Sequence, residues 1–137
     1  MSTDCLFCKI ISGDIPARQV HADEHAVAFL DIEPFHRGHT LVIPRRHVAD
    51  VLAQPAALTE IAPAIEHTAK LLTDRLGADG LNVFSSAGAV AGQEVFHLHV
   101  HLVPRYEESP GLRGLFQRTG NADPADLDAV LAELVDG

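Results

Sequence analysis

The segment His25 to Ile32 (HAVAFLDI) is apolar over most of its length, and Thr40 to Pro44 (TLVIP) is apolar through its middle. Both predict strands. The turn-rich residues Glu33, Pro34, Phe35, His36, Arg37 and Gly38 separate them, which allows an antiparallel hairpin. From Leu58 the period changes: Ile61, Ile65, Leu72 and Leu76 keep helical spacing, Ala62 and Ala69 fill the face, Pro63 lies near the first turns and Gly77 provides the stop. Strand character returns at Leu81 to Ser85 (LNVFS) and Val95 to Val103 (VFHLHVHLV), joined by the glycine-containing stretch Ser86 to Glu94. The order strand, strand, helix, strand, strand, with hairpin-length connections on both sides of the helix, favours an antiparallel sheet carrying one main helix. Pro124 to Val135 adds a short helix with Leu127, Val130, Leu131 and Leu134 on one face.

At 137 residues and 47% hydrophobic, the chain fits one domain with its own core. Residues 106–137 then form a tail of the domain built by residues 1–105, reached through the Pro- and Gly-containing stretch Glu107 to Gly114. Ten Lys plus Arg against 19 Asp plus Glu give a net charge of −9, which repels nucleic-acid backbones and anionic membranes but allows a small phosphorylated ligand in a local pocket. The absence of Trp and the single Tyr also leave no stacking platform for single strands. Met1 to Ile10 has neither the basic start nor the apolar run of a secretory signal, and no segment approaches a membrane span, so a cytoplasmic protein is expected.

The compositional outlier is histidine, with nine residues. His97, His99 and His101 are spaced by two within the Val95–Val103 strand, so they project from one face at about 6.6 Å intervals while Phe96, Leu98, Val100 and Leu102 cover the other. Such a row serves either a metal-binding face or an acid–base and nucleophile array. Cys5 and Cys8 form a single Cys-x-x-Cys, which leaves redox chemistry, half of a zinc site, or coincidence. Zinc needs two further donors, for which His47 and His97 are candidates. No GxxxxGK loop and no acidic cluster for magnesium is present, which disfavours a kinase or P-loop nucleotidase. Ser85 to Gln93 instead offers hydroxyls, an amide and glycine-permitted backbone N–H groups beside the His row, and reads equally as a plain hairpin loop. Asp31 suits a ribose diol or a cap on the turn that follows it.

Phe96-His97-Leu98-His99-Val100-His101-Leu102-Val103 carries the His-φ-His-φ-His-φ-φ signature of the histidine triad (HIT) family, where φ is apolar. With Cys5-Leu6-Phe7-Cys8, Phe29 to Ile32, Gly38 to Pro44, His47 and Gly92-Gln93, the chain resembles the Hint-like bacterial branch from about Cys5 to Arg105. The resemblance implies an α+β, HIT-like protomer that forms a homodimer. It also implies a hydrolase or nucleotidyl transferase for purine nucleotides and nucleoside phosphoramidates, like an adenosine 5′-monophosphoramidase. His99 would attack the α-phosphorus and form a covalent nucleotidyl-histidine, with His101 and His39 orienting and assisting it. Asp31 would bind the ribose hydroxyls and Ile32 the base, with Ser86, Gln93 and Glu94 beside the phosphate. Many relatives carry Asn at the position of Ser86. Structural Zn²⁺ would sit on Cys5, Cys8, His47 and His97, as in galactose-1-phosphate uridylyltransferases. The alternatives are a dinucleoside polyphosphate hydrolase and a zinc-stapled nucleotide sensor with little turnover. A catalytic zinc on all three triad histidines would leave Cys5 and Cys8 unexplained.

Overall fold

The computed structural model describes residues 4–108 and 120–135. Its elements are α1 (Leu6–Ser12), β1 (Gln19–Ala22), β2 (Ala26–Leu30), β3 (Thr40–Pro44), α2 (Ala57–Leu76), β4 (Gly80–Phe84), β5 (Val100–Arg105) and α3 (Pro124–Val135). One short 3-10 turn, Ala89–Ala91, lies between β4 and β5. The strands form a single sheet in the order β1-β2-β3-β5-β4, antiparallel at every pairing. The predicted hairpin is present as β2 and β3, with Phe29 opposite Leu41.

Two apolar layers hold the sheet. Ala26, Ala28, Val42, Val100 and Leu102 pack with Ile61, Ala64 and Leu72 of α2, while Val27, Phe29, Leu41 and Ile43 face the other way onto Phe7 and Ile10 of α1. Strands β2 and β3 are therefore covered on both faces, which accounts for their near-continuous apolar runs where a one-sided sheet would alternate. Helix α2 buries Ala57, Ile61, Ala64, Thr68 and Leu72, the expected stripe, and Pro63 is its seventh residue on the exposed side. Helix α3 forms where expected, with no buried residue.

Three features depart from the sequence reading. The fifth strand starts at Val100, so His97 and His99 lie in an irregular approach to it, and Phe96 is half-exposed where a covered position was expected. The cause is a change of partner: the Leu98 N–H donates to the Val48 carbonyl at 2.6 Å, outside the β3–β5 ladder, and His97 turns toward the cysteines. Leu98, Val100 and Leu102 still share the buried side. Helix α1 and strand β1 were not anticipated, because seven residues are too few for a helical period and QVHA is too polar to read as a strand.

Candidate active site and metal centre

Cys5 is the N-cap of α1, and its Sγ accepts the Cys8 backbone N–H at 3.4 Å. This turn brings the two sulfurs together, and the chain leaving β3 and the approach to β5 bring His47 and His97 to them. His97 Nδ1 lies 3.5 Å from Cys5 Sγ and 3.6 Å from Cys8 Sγ, and His47 Nδ1 lies 3.4 Å from Cys8 Sγ. The edge of a tetrahedron with zinc–sulfur and zinc–nitrogen bonds of ordinary length is about 3.6 Å, so the donor set fits a tetrahedral ion. Its tautomer fits as well. His97 Nε2 donates to the Pro44 carbonyl at 2.8 Å, which leaves the Nδ1 lone pair aimed at the sulfurs. Burial, reinforced by a hydrogen bond and charge from Cys5, pushes the Cys8 thiol up. Burial also pushes His97 below the ordinary imidazole value, keeping it a neutral donor.

His99 is pinned in the opposite sense. Its Nδ1 donates to the His97 carbonyl at 2.8 Å, so the free lone pair is on Nε2. The Ser85 hydroxyl donates to the His99 carbonyl at 2.7 Å, and the ring of Phe7 meets the imidazole edge-on at 5.1 Å between centroids. Both hold the one nitrogen that can act as a nucleophile.

His39 and His101 form a directional pair. The Phe35 backbone N–H donates to His39 Nδ1 at 3.1 Å, which places the His39 proton on Nε2, and that nitrogen donates to His101 Nδ1 at 3.0 Å. His101 in turn carries its proton on Nε2. Burial depresses His39 and lowers His101 to about 4, outweighing the attraction of Asp31, so both are neutral near pH 7. Asp31 Oδ2 lies 3.6 Å from His39 Nε2, and the donor atoms of Asp31, His39 and His101 cluster closely enough to hold an ion. The Phe35 N–H opposes that use: binding through His39 Nε2 would move its proton to Nδ1, against another N–H.

A HIT domain family model matches residues 12–108. The chain belongs to the HIT family. An uncharacterized HIT-like protein of Methanocaldococcus jannaschii is 44% identical over 131 residues, covering 95% of this chain and 98% of that one. The structure of a histidine triad nucleotide-binding protein from Candida albicans superposes with a TM-score of 0.82 at 33% identity, covering 97% of this HIT chain and 96% of that one. An adenylylsulfatase of Arabidopsis thaliana is 36% identical over 111 residues, covering 78% of this chain and 55% of that protein.

The structure brings Cys5, Cys8, His47 and His97 into one group and Asp31, His39 and His101 into another. The three triad histidines do not converge on a common point, since each directs its Nδ1 to a different partner. Asp31 caps the turn that follows it, its Oδ1 accepting the Glu33 N–H at 2.8 Å, while its Oδ2 faces His39. Ile32 is 83% exposed, an apolar surface open to a ligand. Gln93 is buried, and its side chain is occupied by backbone groups. Its Nε2 donates to the carbonyls of Ala49 and Val95, and its Oε1 accepts the Gly88 N–H. Ser86 is half-buried beside Ser85, and Glu94 is exposed on the rim of a depression of about 440 Å³ that also includes Cys5, His47 and Phe96. Sequence reasoning passed over Phe7, Phe35 and Phe84 as site residues. Apolar residues inside a Cys-x-x-Cys, a turn and a strand carry no chemical signal of their own.

Proposed function

We propose that this HIT protein is a nucleotide-binding hydrolase or nucleotidyl transferase acting on nucleoside 5′-phosphoramidates or related nucleoside phosphates through a covalent intermediate at His99. The observation that carries the reading is the His99 Nδ1–H bond to the His97 carbonyl, which presents a lone pair at Nε2 on a side chain that is 8% exposed. His99 Nε2 attacks the α-phosphorus. The bond from phosphorus to the leaving nitrogen breaks, its electron pair goes to that nitrogen, and the nitrogen, held by a hydrogen bond from the Nε2–H of neutral His101, takes up a proton from solvent. The two rings are 5.0 Å apart between centroids. Water then attacks the nucleotidyl-His99 and releases a proton to solvent, which balances the one taken up by the leaving nitrogen, and the phosphorus–nitrogen bond returns its electron pair to Nε2 as the nucleoside monophosphate leaves. His39 holds the far side of His101 throughout. Asp31 receives the ribose hydroxyls and Ile32 supports the base, in line with the nucleotide binding stated for the Candida albicans relative.

Zinc on Cys5, Cys8, His47 and His97 belongs to the same reading, supported by the tetrahedral fit of the four donors. It supplies a structural tie, because four protein ligands leave no position for water. The test is His99→Ala, assayed on adenosine 5′-monophosphoramidate. Turnover is expected to fall by at least about 100-fold, a loss of the order carried by one catalytic group, while AMP binding persists. Retained turnover overturns the covalent route.

A further inference from the structure

Two neighbouring phenyl rings lie against the His39–His101 pair. Phe35 stacks on His39 with centroids 5.2 Å apart and planes 12° apart, and Phe84 stacks on His101 at 4.6 Å and 13°. The two phenyl rings are themselves 6.4 Å apart. Register explains Phe84, which stands opposite His101 in the β4–β5 ladder. Folding does not explain Phe35, which is 54% exposed in a turn and so gains little from burial. What its ring does is cover a face of His39, a residue that is 2% exposed, while its own backbone N–H fills Nδ1 of that imidazole.

We propose that Phe35 is a positioning residue for the reaction at His99: its ring keeps the His39–His101 pair dry and in a single tautomer, so that His101 always offers its Nε2 proton. The proposal rests on the catalytic reading above. The charged and titratable groups facing the pair are Asp31 beyond β2, His36 in the same turn as Phe35, and His99 at the approach to β5. Asp31 favours imidazolium at both positions, and the two histidines oppose it. Burial decides the balance for the neutral form, so opening one face of His39 to water shifts that balance toward Asp31. A protonated His39 carries hydrogen on both nitrogens and can no longer accept the Phe35 N–H. The order of the pair is then lost.

The test compares Phe35→Ala, Phe35→Tyr and the parent at matched zinc content. Nitrogen-resolved NMR of the imidazoles without substrate gives the tautomer and titration of His39 and His101, and kinetics on adenosine 5′-monophosphoramidate gives kcat and KM separately. In Phe35→Ala the pair is expected to titrate about one pH unit higher. Its kcat at pH 5 should be about half the parent's with KM nearly unchanged, because a pair titrating one unit higher is about half protonated there while the parent's is still mostly neutral. Phe35→Tyr, which keeps a planar ring, should restore both. If alanine disturbs the turn, Phe35→Ser, which suits a turn and equally uncovers the face of His39, takes its place. An unchanged titration in the alanine variant overturns the proposal, as does a rise in KM alone, which would make the ring a ligand-stacking surface. A shifted titration in a protein whose parent shows no turnover supports the effect on the pair and overturns only the catalytic reading.

Discussion

Each of the three triad histidines is set apart by the atom its Nδ1 meets: sulfur for His97, a carbonyl for His99, another imidazole for His101. The regular spacing that makes them conspicuous in the sequence says nothing of this division. It depends on Cys5, Cys8 and His39, which are distant along the chain, and on the irregular backbone before Val100. The resemblance named the candidate residues, whereas the backbone groups that fix their tautomers are visible only in three dimensions. The side chain of Gln93 makes the same point, since a polar residue next to a candidate phosphate site spends its amide hydrogens on the carbonyls of Ala49, after β3, and Val95. Burial of a neutral imidazole has a pH signature. His101 titrates at about 4 in the folded protein against 6.5 ordinarily, so between these values the unfolded chain binds a proton that the folded chain refuses. Stability is expected to be full above about pH 6.5 and to decline as the pH falls toward 4. His39, depressed for the same reason, adds to the slope. Urea midpoints measured from pH 7 to pH 4.5 check this, with His101→Gln showing a flatter profile. Equal slopes in the two proteins would contradict it.

The elements legible in the sequence were those with a long period or a continuous apolar run, namely β2, β3, α2, β4 and α3. Strand β5 was displaced because the alternation of apolar residues continues through Leu98 although the ladder does not. Alternation reports which side a residue packs on, and only hydrogen-bond partners decide where a strand begins. The turn between β2 and β3 shows how closely an element can be specified. Gly38 has φ of +88°, and a Cβ there would strike Leu76 Cδ1 and lie 3.2 Å from Pro104 Cγ. The leucine methyl can swing aside, but the proline ring is rigid and the left-handed backbone costs an L-residue about 1–2 kcal/mol. Thr40 Oγ1 donates to the Gly38 carbonyl and Tyr106 Oη to that of Arg37, so the turn cannot relax freely. Gly38→Ala is expected to destabilise the protein by about 2 kcal/mol in urea unfolding. It should also lower turnover, because the next residue is His39. Loss of neither would mean that the turn has more freedom than its contacts allow.

At the scale of the whole molecule, the proposed zinc quartet ties α1 to the exit from β3 and the approach to β5, which the β3–β5 pairing and the Leu98–Val48 hydrogen bond already hold to each other. No helix among the described residues is long and apolar enough to cross a membrane, and two apolar layers hold the sheet. Phe7, between the two cysteines, packs edge-on against Phe29, His97 and His99, which makes α1 both a lid on the second core layer and a wall behind His99. Metal bound only by the folded form adds its binding free energy to stability. Cys5→Ser combined with Cys8→Ser is therefore expected to abolish zinc binding and lower the melting temperature by several degrees, consistent with a loss of a few kcal/mol. Turnover at 25 °C should fall by a smaller factor than in His99→Ala. Some loss is expected, because His97 supplies the carbonyl that orients His99 and its own ring would no longer be held by the ion. Metal content, melting temperature and turnover measured on the double variant and its parent decide the matter. A metal-free variant with an unchanged melting temperature and no turnover would move the ion from the scaffold into the chemistry.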